Sequence, residues 1–147
     1  MHALALALTT TVLATTLTLA SPTPPPEKVE ISDLMIRTTS SERGATLNYV
    51  EFHLKGNQAR DTKCLSGYYD KVPSISVRGS CAADQYFFVF WPSFEGNDHR
   101  LEVFDRLSDG SIISGLSRPS TACAEDGRTG FVCMQGAPVK LSLRKGK

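Results

Sequence analysis

The first 20 residues of this 147-residue chain contain no Lys, Arg, Asp or Glu. All 31 charged side chains, all 12 aromatics and all four cysteines lie in the other 127. Sixteen basic residues face 15 acidic ones, so neither sign dominates and the net charge is +1. Such a balance supplies no long-range attraction to nucleic acid or an anionic membrane. No C-x-x-C, N-x-S/T, G-x-S-x-G, H-E-x-x-H or P-loop occurs. The zinc-finger, N-glycan, hydrolase, zincin and nucleotide-binding signatures are therefore missing. No window of helical length keeps a 3.6-residue apolar stripe. Together these exclude a multidomain enzyme, a polytopic membrane protein and a generic basic nucleic-acid binder.

What is present begins with an apolar leader. Thirteen of residues 1–20 are apolar, and the six threonines among them leave the run short of a spanning helix. Thr18 and Ala20 are small residues placed for cleavage before Ser21, so residues 1–20 read as a secretory signal peptide and the protein as extracellular. Four of the eight prolines follow in Ser21–Pro26, which makes residues 21–27 a spacer unable to join a sheet ladder. Residues 28–147 form the single domain. Outside the leader 47 of 127 residues are apolar, near 37%, enough for a packed core.

Export places the cysteines in an oxidising compartment. Four of them suggest two disulfides in one of three connectivities. Local pairing, Cys64 with Cys81 and Cys123 with Cys133, closes two short loops worth roughly 3 kcal/mol each in the chain-entropy model. Neither His53 nor His99 is spaced to join them in a zinc site, so no metal or other cofactor is expected.

The domain reads as strands and turns. Val50, Phe52 and Leu54 alternate with Glu51 and His53; Leu101, Val103, Asp105 and Leu107 alternate with Glu102, Phe104 and Arg106. Val139, Leu141 and Leu143 repeat the pattern, and further strands are predicted over Val29 to Ile36 and near Cys64. Tyr86–Trp91, a continuous apolar run, is the predicted central strand. Asp109-Gly110 marks a tight turn. Seven or more short strands predict an all-β fold, an antiparallel barrel or sandwich.

Candidate chemistry is sparse. His99 lies in Gly96–Arg100, which has the composition of an exposed turn. His53, Arg78, Glu95 and His99 are the residue types of a small extracellular ribonuclease, the least favoured reading. The aromatics of Tyr86–Trp91 with Phe94 suit core packing better than a ligand cavity. Tyr68 and Tyr69 are adjacent in the first cysteine loop, so on an extended chain at least one faces away from the core. The candidate partner contacts are Tyr68, Tyr69, Asn97, His99 and Arg100.

The order of these pieces resembles the secreted fungal family of the major Alternaria allergen along nearly all of residues 28–143. Ile31-Ser-Asp-Leu34 with Arg37 opens it, Asn48 precedes Val50–Leu54, and Gly130-Phe-Val-Cys-Met-Gln-Gly136 closes it before a last strand. The resemblance implies an antiparallel β-barrel or sandwich with disulfides Cys64–Cys81 and Cys123–Cys133. It implies a secreted allergen, elicitor or effector, with plant thaumatin-like pathogenesis-related proteins or a small phenolic ligand as partners, and carries over no catalytic residue. The founding allergen has an extra cysteine that links two subunits, and residues 21–30 here have none. The expectation is a non-catalytic extracellular protein, monomeric or a non-covalent dimer, that binds a host protein. Carriage of a phenolic ligand is the alternative.

Overall fold

The computed structural model describes residues 25–41, 44–67, 76–93, 98–127 and 130–146. Among them every regular element is a strand: β1 Glu27–Ser41, β2 Gly44–Gly56, β3 Thr62–Ser66, β4 Val77–Cys81, β5 Tyr86–Trp91, β6 Arg100–Arg106, β7 Ile112–Ser117, β8 Thr121–Glu125, β9 Gly130–Gln135 and β10 Val139–Lys145. Strands β1 to β7 are antiparallel neighbours in chain order, β10 follows β7, and β10 returns to β1. The result is a closed antiparallel barrel of eight strands with the β8–β9 hairpin attached outside the ring. The leader and Ser21 lie outside the described residues. The spacer ends one residue earlier than expected, because Glu27 is buried and already pairs with Leu143 of β10.

Alternation decides which side chains fill the barrel. Val50, Phe52 and Leu54 point inward, as do Leu101, Val103 and Asp105. Tyr86–Trp91 differs from a strand buried on both faces. Tyr86, Phe88 and Phe90 are buried, whereas Phe87, Val89 and Trp91 lie half-buried on the outer wall. A closed single-layer barrel has only one dry face per strand, so half of that apolar run must face outward. Phe52 and Phe88 meet edge-on across the core at 4.9 Å.

Strand β1 pairs with β2 along one edge and divides the other between two partners. Glu27–Ile31 pairs with β10, and Met35–Thr39 pairs with β9. The change occurs at a bulge where the β1–β2 register breaks between Ser32 and Met35 and Asp33 takes φ 55°. Asp is among the residues that tolerate this left-handed conformation. The extra residue shifts the inward set from Val29 and Ile31 to Leu34 and Ile36. Gln135 spans the bulge: its Oε1 accepts from the Leu34 N–H at 3.2 Å, and its Nε2 donates to the Ile31 carbonyl at 3.3 Å.

Both disulfides are local, Cys64–Cys81 and Cys123–Cys133. Each joins directly opposed residues of adjacent strands, the first within the ring and the second in the hairpin. The Asp109-Gly110 turn is present, with Gly110 at φ 80° and its N–H donating to the Leu107 carbonyl at 2.9 Å.

Candidate functional site

The antiparallel ring sends alternate connections to opposite ends. The β3–β4 and β5–β6 connections leave from the same end, so the two segments chosen as contact candidates are anchored together. Tyr68, Tyr69 and Asn97 lie outside the described residues, as do Phe94 and Glu95. Arg100 opens β6, is exposed, and holds its guanidinium 5.3 Å from the Trp91 ring centre.

His99 corrects the exposed-turn expectation. It is 4% exposed, with its ring 5.5 Å from that of Phe90, and its Nδ1 accepts from the Ser93 N–H at 3.0 Å. Burial lowers its pKa, so the ring is neutral with its proton on Nε2, which has no partner among the described residues. One nitrogen lies within 4.8 Å of both Cys123 and Cys133 sulfurs. Those sulfurs are bonded to each other and offer no thiolate, so the trio is not a zinc site in this oxidised form. His99 fastens the β5–β6 connection to the core and presents no side chain to a partner.

The ribonuclease residues are not brought together. His53 is on the outer wall of β2, 2.8 Å from Asp61. Arg78 is exposed on β4, and His99 points inward from the start of β6. A shared substrate would have to touch both faces of the barrel wall at strands four places apart.

The opposite end of the barrel holds a polar group that local motifs did not reveal. Tyr86 and Asp105 are directly opposed inward residues of β5 and β6, and Tyr86 Oη donates to Glu27 Oε1 at 2.6 Å. Glu27 Oε2 and both Asp105 oxygens have no donor from the other described residues. Burial, then a hydrogen bond to Glu27 and the charge of Glu27, push the Asp105 carboxyl from 3.8 up to about 7. A proton on Asp105, shared with Glu27, supplies the missing donor. Burial and Glu27 likewise push the Tyr86 phenol well above its ordinary range. The backbone of buried Ala59, from the β2–β3 connection, also reaches this phenol. Asp105 is 0% exposed, so this carboxyl faces the interior of the barrel and not its outer surface. The alternation of Leu101, Val103 and Asp105 was the available signal, since it already placed the carboxylate inside.

A separate concavity of about 550 Å³ lies over β1, β2 and β10, with Lys28, Lys55 and Lys140 around Leu141 and Gly56. Glu30 sits between Lys55 and Lys140 in the strand register. Three ammonium groups against one carboxylate suit a small anionic ligand. The buried aromatics of β5 belong to the core cluster instead.

A closed antiparallel barrel with an outer hairpin and two cross-strand disulfides defines an Alternaria-allergen-like fold. Two crystal structures of the Alternaria alternata major allergen Alt a 1 share it at TM-score 0.59. One is 20% identical, over 79% of this chain and 86% of the allergen chain. The other is 21% identical, over 79% and 91%. No family model and no curated protein sequence matches the chain.

Proposed function

We propose that the chain is a secreted, non-catalytic member of the Alternaria-allergen-like proteins that acts as an effector or elicitor by binding a host extracellular protein. The observation that carries this reading is the barrel shared with Alt a 1. A rigid, disulfide-stapled wall presents connections at low entropic cost, which favours binding. Separation of His53 from His99 leaves no constellation for RNA cleavage among the described residues. The second reading, carriage of a small phenolic ligand, draws on the three lysines of the outer concavity, which would favour a phenolate.

The test is titration of the secreted protein against purified thaumatin-like pathogenesis-related proteins by surface plasmon resonance. Saturable binding is expected, weakened by Tyr68→Ala with Tyr69→Ala at an unchanged melting temperature. RNA cleavage that disappears in His53→Ala or His99→Ala would replace the non-catalytic reading.

A further inference from the structure

One side of the barrel has the wrong surface for water. On the outer wall of β5 and β6, Phe87 and Phe104 stack face to face at 4.8 Å across the strand pair. Val89 and Trp91 continue the row along β5. Leu116 of β7, opposite Glu102, adds a side chain 52% exposed. Phe87, Val89, Trp91 and Phe104 are half-buried and in register, an apolar row rather than single scattered residues, with Glu102 between Val89 and Leu116. By contrast, the outer wall of β1, β2 and β10 carries Lys28, Glu30, Lys55 and Lys140. Cross-strand pairing of Phe87 with Phe104 stabilises the sheet, but the apolar row extends past that pair to Val89 and Trp91.

Three arginines frame the patch. Arg100 lies over Trp91 at 5.3 Å and Arg106 over Phe87 at 5.9 Å, while Arg78 is exposed opposite Val89. Guanidinium groups held over rings are pre-organised and keep N–H donors for bidentate bonds to carboxylates. The nearby carboxylate, Glu102, accepts from Ser114 Oγ at 2.8 Å. Lys63 on the neighbouring wall is paired with Glu51 at 3.0 Å. Aromatic anchors with arginine at the rim have the composition of a protein-binding centre.

We infer that the outer face of β4 to β7, centred on Phe87, Trp91 and Phe104, docks an acidic protein surface whose carboxylates meet Arg100 and Arg106. A second copy of this chain fits poorly, because a twofold contact would set the same arginines against one another. This inference rests on the host-protein reading and adds to it the binding face and the charge of the partner.

The test uses the full secreted chain and two purified thaumatin-like proteins, one acidic and one basic. The acidic protein should bind, more weakly as salt rises, and the basic one at least about tenfold more weakly. Arg100→Glu with Arg106→Glu should weaken acidic-protein binding by about tenfold or more. Arg37→Glu should leave it unchanged, although Arg37 stacks on Tyr49 at 5.9 Å in the same manner on β1. If charge reversal unfolds the chain, Arg100→Gln with Arg106→Gln carries the same comparison. Undiminished binding in the folded double variant, or equal binding of the basic protein, overturns the inference and leaves the host-protein reading standing. No binding of either protein by the wild type overturns both. A dimer in sedimentation, or binding to poly(U), that is lost in the double variant assigns the face elsewhere and overturns the inference.

Discussion

Asp105 links the stability of this protein to pH. Its folded pKa lies above the unfolded value, at about 7 against 3.8, so the folded state holds a proton that the unfolded chain has released. Its contribution to stability is complete below about pH 4 and is lost as pH rises through about 7. Chemical denaturation at a series of pH values should show the fall, of a few kcal/mol at most for one group. Asp105→Asn keeps a donor for Glu27 and removes that titration, so the fall towards pH 7 should disappear, leaving the slope of His99, and its stability should exceed that of the wild type above pH 7. A variant with the wild-type slope would exclude Asp105 as the titrating group. His99 has the opposite sign: its lowered pKa favours the folded state above its unfolded value and penalises it as pH falls. The two groups therefore narrow the stable range from opposite sides.

At the scale of elements, the bulge in β1 couples the start of the domain to its end. Gln135 satisfies backbone groups on both sides of Asp33. Gln135→Ala should cost about 1–2 kcal/mol, read as a shift of the denaturation midpoint, because two partly buried backbone groups lose their partners. Gln135→Glu should recover only the half in which an oxygen accepts from the Leu34 N–H. Ile31-Ser-Asp-Leu34 and Gln135, parts of the opening and closing segments that carry the resemblance, meet at this bulge, so their joint occurrence has a structural reason. Strands with one wet face were legible from alternation, as in Val50–Leu54 and Leu101–Asp105. The β8–β9 hairpin was not, because four of the five β8 residues are exposed and no period survives. Its Asp126 and Gly127 gave the whole segment the composition of a loop. His99 was misread for a related reason: Gly96, Asn97 and Asp98 have turn chemistry, whereas burial of the ring depends on Phe90 of β5 and on the distant second disulfide of the β8–β9 hairpin.

For the whole molecule, closure of the ring separates what is global from what is local. Every ring strand has a partner on each side, with β1 and β10 forming the seam, while β8 is bonded along only one edge. Cys64 and Cys81 are both buried within the ring, whereas Cys123 is exposed in the hairpin. Loop closure gives the two bridges similar effects on the unfolded chain, roughly 3 kcal/mol each. The native consequences should nonetheless differ. Cys64→Ser with Cys81→Ser should lower global stability by at least about that amount, because it also leaves polar hydroxyls among buried strands. Cys123→Ser with Cys133→Ser should act first on the hairpin, since β8 can open without breaking the ring. Hydrogen exchange read strand by strand distinguishes the cases: the hairpin variant should lose protection in β8 and β9 while β5 and β6 keep theirs. Equal loss in β5 and β8 would mean that the hairpin is part of the same cooperative unit, with His99, packed between Phe90 and the second disulfide, as the physical link.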